Sequence, residues 1–209
     1  MIDLNSFAEF STCDYGDVLP EGSYMDCGIK ALWSGGPRLV GTAYTVKCDP
    51  GDNLMVHAAI YQAPAGSVLV INGGDNNFAV AGGHVCAAAA ERGIRGFIID
   101  GVIRDVVEIE EMGFAVYARG NVPKPGRKEK LGEVEQPITC GGITVNNGDI
   151  VIADEEGIVA FDSNQAEEIL AKAKEAAIEG NMPLAEWKVG HYKKISALVA
   201  SLTKQAEQK

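Results

Sequence analysis

Polar residues able to bind and polarise a small anion cluster between Gly82 and Glu108. Gly82 and Gly83 precede a predicted helix, whose free backbone amides and dipole favour a carboxylate or phosphate. A tight turn is the simpler interpretation of this glycine pair taken alone. Asp100 and Asp105 lie around the end of one predicted strand, with Glu108 one helical turn beyond. A carboxylate cluster of this kind suits Mg²⁺ or Mn²⁺, which prefer oxygen ligands and retain several waters.

Arg104 adds a cation directly beside Asp105 and can hold an oxyanion. A structural Arg-Asp pair that caps the following helix is the alternative interpretation. A metal, an arginine and a helix N-terminus together would bind a small 2-oxo acid, with its carboxylate on the amides and its keto oxygen on the metal and Arg104. That arrangement stabilises an enolate, so it favours carbon–carbon cleavage or decarboxylation next to a ketone.

Other reactive side chains offer less specific patterns. His84 begins the helix after Gly83 and is a phosphoryl acceptor, a proton shuttle or a surface residue. Lys47 is the only lysine at the end of a predicted core strand, and we interpret it as a snorkelling side chain rather than a Schiff-base lysine. His57 lies in a predicted helix and is interpreted as structural or as a surface residue.

Composition indicates one globular domain of 209 residues with a net charge of -11. That charge argues against nucleic acid as a ligand, because phosphate binding needs clustered Lys and Arg. The best basic run, residues 124–130, is interpreted as a solvated loop. Five scattered cysteines without CxxC spacing and no signal peptide indicate reduced thiols in the cytoplasm. No apolar run is long enough to span a bilayer, so no membrane partner is expected.

The elements that must position these residues alternate between strands and helices. Strands are predicted at 39–46, 68–71, 97–100 and 114–118, and helices at 53–62, 84–92 and 104–112. Short links between them are typical of parallel βαβ units. Ligands bind outside the carboxyl ends of such strands, which are polar at residues 72–75 and 100–101.

The two ends of the chain flank this α/β unit. Short helices are predicted near 12–19, capped by Thr12 or Asp14, and near 28–33. A polar loop at 119–137 leads to short strands at 143–145, 149–153 and 157–161. Residues 163–209 are predicted to form a helical tail, with one helix from Ser163 to Glu179 and another reaching about Leu202. This last helix has a modest apolar stripe that would pack on a neighbouring subunit.

The spacing of the polar residues resembles a family signature. Gly83, twenty intervening residues, Arg104-Asp105, two more residues and Glu108 fit the G-x20-R-D-x2-E/D pattern of class II pyruvate aldolases. These are the 4-hydroxy-4-methyl-2-oxoglutarate/4-carboxy-4-hydroxy-2-oxoadipate aldolases, related to the regulator of RNase E activity A. The resemblance runs from about residue 12 to 190 and includes segments 38–46, 99–101 and 148–159.

The resemblance implies one α/β domain over residues 1–209, layered α/β/α like the swivelling phosphohistidine domain, with a C-terminal helical extension. It implies a metal, Mg²⁺ or Mn²⁺, held by Asp105 and ordered waters. Pyruvate would be held by Arg104 and the backbone amides of Gly82, Gly83, His84 and Val85. Glu108 would support the site from behind the metal ligand. The expected assembly is a homotrimer or homohexamer in which a neighbour's Glu179 completes the site.

The implied activity is cleavage of 4-hydroxy-4-methyl-2-oxoglutarate to two pyruvates and of oxaloacetate to pyruvate and CO₂. One departure is His84, where many aldolases carry an acidic residue, and Asp75 or Asp100 would have to substitute for it. A non-catalytic regulator with a basic partner is the main alternative, although regulators lack the Arg-Asp pair. A phosphoryl carrier acting through His84 is a third possibility.

Overall fold

The computed structural model describes residues 3–206, which form a mixed α/β domain. The strands are β1 (Lys30–Ala31), β2 (Leu39–Lys47), β3 (Ser67–Asn72), β4 (Ala79–Ala81), β5 (Gly96–Ile103), β6 (Ala115–Asn121), β7 (Glu133–Val134), β8 (Ile138–Cys140), β9 (Ile143–Val145), β10 (Ile150–Asp154) and β11 (Gly157–Phe161). The α-helices are α1 (Thr12–Gly16), α2 (Leu54–Gln62), α3 (Gly83–Glu91), α4 (Val106–Met112), α5 (Ala166–Gly180) and α6 (Leu184–Ala206). Short 3₁₀ helices lie at Leu4–Glu9, Glu21–Ser23 and Ser163–Gln165.

The central sheet has nine strands, and its main path runs β1-β6-β5-β3-β2-β10-β11. Strands β2, β3, β5 and β6 are parallel to one another, and their apolar runs are buried as expected of strands covered on both faces. Strands β1, β10 and β11 join the sheet in antiparallel pairs, and β8 and β9 form a separate hairpin.

Three apolar cores hold this sheet in place. Helices α2, α3 and α4 cover one face, where their inward side chains include Val56, Cys86 and Ile109. Strands β10 and β11 and the β8–β9 hairpin cover the opposite face, because the sheet curls until it is nearly closed. Helices α1 and α5 pack on the outer side of β10 and β11. The α/β class is confirmed, while the likeness to the swivelling phosphohistidine domain stays a prediction.

The pairing of β4 with β5 places the polar ends of two strands side by side. Strand β3 pairs with the first half of β5, and β4 then takes its place beside the second half, with Ala81 opposite Ile103. The amide of Arg104 donates to the carbonyl of Ala81 at 3.1 Å. Gly82 and Arg104 therefore leave the sheet next to each other at the carboxyl edge.

Two sequence predictions about β5 and the N-terminal segment are wrong. The strand does not end at Asp100 but continues to Ile103. Gly101 allows this because a Cβ there would lie 3.3 Å from the Cα of Gly73, so the glycine serves a close approach rather than a turn. Residues 28–33 form no helix; they include β1, which is tied to β6 in an antiparallel pair.

Helix caps and faces also differ in places from the predictions. Ser11, not Thr12 or Asp14, caps α1 and forms a capping box with Asp14. The hydroxyl of Thr12 instead donates to the buried carboxylate of Asp154. Helix α2 turns Met55, Val56, Ala59 and Ile60 toward the core and leaves Tyr61 66% exposed. The strands β4, β7 and β8 were not predicted.

Helix α6 projects with none of its residues buried in the described chain. Its large apolar side chains are all exposed: Leu184, Trp187, Val189, Ile195, Leu198, Val199 and Leu202. Over residues 3–206, no helix combines the length and the apolar character needed to cross a membrane. The predicted C-terminal helical tail is present, although its first helix begins at Ala166, after a 3₁₀ turn capped by Asp162.

Candidate active site

Asp105 is the residue on which the polar groups converge. It occupies the N-cap of α4 in the left-handed conformation, at φ 58° and ψ 38°, which is uncommon for a residue other than glycine. Its Oδ2 accepts a hydrogen bond from the amide of Gly83 at 3.2 Å and lies 3.3 Å from Nε of Arg104. Since Oδ1 accepts no hydrogen bond from residues 3–206, this oxygen is free for another ligand.

The two glycines are required by contact, not by backbone conformation. Gly82 is extended, at φ -164°, so any residue could adopt its backbone. A Cβ there, however, would lie 2.6 Å from Oδ2 of Asp105 and 2.9 Å from Cγ of Arg104. At Gly83 a Cβ would lie 2.2 Å from the carboxyl carbon of Glu108. The tight-turn interpretation is therefore wrong, because both positions are glycine to admit the Arg-Asp pair and Glu108.

These groups open onto a cavity of about 190 Å³. Its lining residues are Asn53, His57, Ala79, Ala81, Gly82, His84, Val85, Arg104, Asp105, Pro125 and Lys128. The volume lies below the range of drug-sized pockets and suits a small organic acid. Among the predicted site residues, Gly83 and Glu108 do not line the cavity, because Glu108 packs behind Gly83 on the far side of the α3 N-terminus.

Three predicted carboxylates lie elsewhere. Asp100 bonds to Arg119 and accepts from the amide of Gly141 at 2.9 Å, so its charge is used in a structural contact. Asp75 caps its own loop by accepting from the amide of Asn77. Neither of these lines the cavity, so the expected substitution for an acidic residue at position 84 is wrong. Glu179 lines a groove beside α5 and α6, outside the cavity of its own chain.

One wall of the cavity was missed by the sequence reasoning. The basic segment 124–130 is held by backbone bonds: the amide of Gly126 donates to Ala79 at 2.9 Å, and the amide of Asn53 donates to the carbonyl of Arg127 at 2.8 Å. These bonds bring Lys128 to the cavity opposite Arg104, so the segment is more than a solvated loop. The buried carboxylate of Asp52 also holds the segment, because it accepts from the amides of residues 129 and 130.

Burial and nearby charges set the ionisation of the surrounding groups. Burial, and then the charge of Lys128, lower the pKa of His57 below the usual value of a histidine. Burial, assisted by the carboxylates of Asp105 and Glu108, raises the pKa of the Cys86 thiol to about 12, so Cys86 is not a nucleophile. Lys47 lies outside the cavity and pairs with Glu133 at 3.1 Å.

The donor set fits a hard divalent cation. No group of three or more His, Cys, Asp or Glu side chains forms a ready-made metal cluster in the described residues. Mg²⁺ is commonly bound through one or two carboxylates and several waters, so one carboxylate with a free oxygen is sufficient. Asp105 meets this requirement at the cavity, beside a cation and helix amides suited to an anionic ligand.

Comparison with known proteins gives one family. The RraA-like family model, described as Aldolase/RraA, matches residues 12–160. A Halalkalibacterium halodurans protein with the provisional name 4-hydroxy-4-methyl-2-oxoglutarate aldolase is 35% identical over 172 residues, covering 82% of this chain and 81% of its own. A Thermus thermophilus protein named 4-hydroxy-4-methyl-2-oxoglutarate aldolase is 32% identical over 152 residues, covering 72% of this chain and 92% of its own.

A solved structure from Thermus thermophilus, described as the RNA-processing inhibitor RraA, also matches the fold. It superposes with a TM-score of 0.65 at 32% identity and covers 72% of this chain and 92% of its own. Enzyme names and regulator names thus both occur among the similar proteins.

Proposed function

This chain belongs to the RraA-like family, and we propose that it acts as a divalent-metal-dependent carbon–carbon lyase on pyruvate-type 2-oxo acids. The substrates we propose are 4-hydroxy-4-methyl-2-oxoglutarate, cleaved to two pyruvates, and oxaloacetate, cleaved to pyruvate and CO₂. One observation carries the proposal: the amide of Gly83 and Nε of Arg104 meet on the same oxygen of Asp105 at the mouth of a small cavity.

Each side chain has a defined task in this proposal. The backbone amides of His84 and Val85 would bind the substrate carboxylate, since they have no partners within the helix, while the amide of Gly83 bonds to Asp105. Asp105 would hold Mg²⁺ or Mn²⁺, which when bound supplies a Lewis acid to the 2-keto oxygen. The guanidinium of Arg104 would stabilise the negative charge that develops on that oxygen as the carbon–carbon bond breaks. Glu108 would hold the N-termini of α3 and α4 in register.

The metal requirement is the direct test. Oxaloacetate decarboxylation by protein treated with a chelator should rise at least tenfold when Mg²⁺ or Mn²⁺ is restored, because the metal polarises the ketone. Pyruvate and CO₂ formation would be followed by a coupled assay. Metal without protein is the necessary control, since free metal ions decarboxylate oxaloacetate slowly. A protein that adds nothing to that background would count against the enzyme.

A regulatory role is the alternative that one comparison favours. The Thermus thermophilus neighbour is described as an RNA-processing inhibitor, and this chain carries a net charge of -11 that would suit a basic partner. A chain without metal-dependent turnover that binds a basic protein in a salt-sensitive manner would support this alternative. The Arg104–Asp105 pair at the cavity favours the enzyme.

We also propose that the chain assembles as a homotrimer or homohexamer through the apolar face of α6. This face has no partner within residues 3–206, and a second copy of the chain would cover it. Glu179, beside the groove at the base of α6, would then reach a neighbour's cavity.

Assembly can be tested with two matched double variants on α6. Trp187→Gln with Ile195→Gln removes apolar contacts and should reduce the mass measured by light scattering toward one chain of 22.1 kDa. Lys188→Gln with Lys194→Gln changes the same helix without removing apolar area and should leave the mass unchanged. Equal masses for both double variants would exclude this face as the interface.

A further inference from the structure

Two buried polar atoms in the cavity wall lack partners. Oδ1 of Asn53 and Nε2 of His57 are fully buried and form no hydrogen bond with the described residues. The amide of His57 donates to the carbonyl of Asn53 at 3.3 Å, so the two side chains lie one helical turn apart at the start of α2. An unpaired buried polar atom lowers the stability of a protein by about 1–3 kcal/mol, so we expect each of these atoms to acquire a hydrogen-bond partner.

The Asn53 side chain is oriented by a bond of its own. Its Nδ2 donates to the carbonyl of Val80 at 3.2 Å, which leaves Oδ1 as an acceptor. The two atoms do not bond to each other in the structure, and a side-chain rotation that lets Nε2 of His57 donate to this oxygen would satisfy both at once. The second nitrogen of a neutral imidazole is then an acceptor. That nitrogen, Nδ1, forms no hydrogen bond to residues 3–206 and is not among the fully buried atoms.

We propose that His57 is the general base for aldol cleavage, a role that rests on the proposed lyase function. Asn53 is its positioning residue, because a hydrogen bond from Nε2 of His57 to Oδ1 of Asn53 would fix the tautomer. Both residues line the cavity together with Arg104 and Asp105, so a substrate bound by these residues would extend toward α2. A 2-oxo acid with a hydroxyl on C4 would present that hydroxyl to the imidazole.

The proton and electron balance of this step is simple. Nδ1 of His57 accepts the proton of the C4 hydroxyl, and the C4–oxygen bond becomes a carbonyl. The electron pair of the C3–C4 bond moves to form the C2–C3 double bond of an enolate, whose oxygen faces Arg104. The imidazolium then returns the proton to C3, which gives pyruvate and the second carbonyl product. No oxidant or co-reactant is consumed.

The charges around His57 support a neutral base. Lys128 faces it from the basic segment, Arg104 and Asp105 from the β5–α4 junction, and His84 from α3. Burial, followed by the charge of Lys128, lowers the pKa of His57, so the imidazole is neutral and able to accept a proton at pH 7. A base of this kind contributes typically about 10²–10⁴-fold to a rate.

The two reactions of the proposed lyase provide an internal control. Decarboxylation of oxaloacetate uses the same enolate stabilisation but has no C4 hydroxyl to deprotonate. In His57→Gln, the ratio of 4-hydroxy-4-methyl-2-oxoglutarate cleavage to oxaloacetate decarboxylation should fall about 100-fold relative to the wild type. His191→Gln, a histidine on the exposed α6, is the matched control and should keep the wild-type ratio.

The pH profile of the wild type separates a base from a structural histidine, even if His57→Gln folds poorly. Because the neutral form is active, kcat/KM for cleavage should fall as pH drops through the lowered pKa of His57, while decarboxylation should lack this acid limb. An unchanged ratio in folded His57→Gln, or the same limb in both reactions, would overturn the role of His57 alone. Absence of both metal-dependent reactions in the wild type would overturn the lyase function and this role with it.

Discussion

Arg104→Ala is expected to lower kcat/KM for both oxaloacetate decarboxylation and aldol cleavage by about 10²–10³-fold. The reason is that, in the proposed reaction, this guanidinium would face the oxygen on which negative charge develops, and loss of one such donor typically has an effect of this size. Arg104→Lys should recover part of the loss, because it keeps the charge but not the planar fork. Steady-state rates with saturating metal would measure both effects.

Control variants distinguish the charge of Arg104 from a general loss of positive charge. Arg92→Ala removes an exposed arginine at the end of α3, whose side chain bonds within residues 3–206 to the carbonyl of Tyr61 at 3.3 Å, and should keep rates within about threefold. Asp105→Ala should in addition weaken the apparent affinity for Mg²⁺, since it removes the cavity carboxylate. Full activity in both Arg104→Ala and Asp105→Ala would show that the site has been assigned to the wrong residues.

Gly83→Ala should lower activity about 100-fold although it adds a single methyl group. The new Cβ would collide with the carboxyl group of Glu108, so the Glu108 side chain must swing away from the N-terminus of α3. Glu108 would then no longer hold the N-termini of α3 and α4 in register, which would loosen the bond from the Gly83 amide to Asp105, and displacements of about 1 Å at a reacting site can cost about 10²-fold. Gly16→Ala, with open space around its Cβ, should have no such effect.

A double variant shows whether the collision with Glu108 is the cause. Glu108→Ala removes the side chain that the new methyl group would meet. Gly83→Ala combined with Glu108→Ala should therefore be as active as Glu108→Ala alone, a strongly non-additive result. If the double variant is no better than Gly83→Ala, the tight contact between these residues does not explain the need for glycine.

The sequence could predict the part of the site whose residues lie close together along the chain. Gly83, Arg104, Asp105 and Glu108 are linked by fixed spacings, and the strand–helix pattern between them is strong. Asp100 was misplaced because its partner Arg119 comes from β6, and nothing in the local sequence shows that pair. The signature therefore predicted the N-terminus of α3 and the Arg104–Asp105 pair, but not the residues around them.

The opposite wall depends on tertiary contacts that leave little trace in the sequence. Strand β4 is three small residues, Ala79–Ala81, whose extended conformation is set by pairing with β5. Helix α2 is largely apolar around its circumference, so periodicity could not show that His57 faces the cavity. The sequence predicted a solvated loop at Lys128, because it does not show the backbone bonds from the segment 124–130 to Ala79 and Asn53 that set its position.

The side-by-side exit of Gly82 and Arg104 from β4 and β5 has an evolutionary consequence. The amides proposed to bind an anion belong to the backbone at the start of α3, which the pairing of β4 with β5 holds in place. The proposed chemistry depends instead on the side chains of Arg104 and Asp105. Substitution of these two residues would therefore remove the proposed activity while leaving the strand pairing of the fold in place. A copy changed in this way would keep a folded surface for binding, and both an aldolase name and an inhibitor name occur among the proteins similar to this chain.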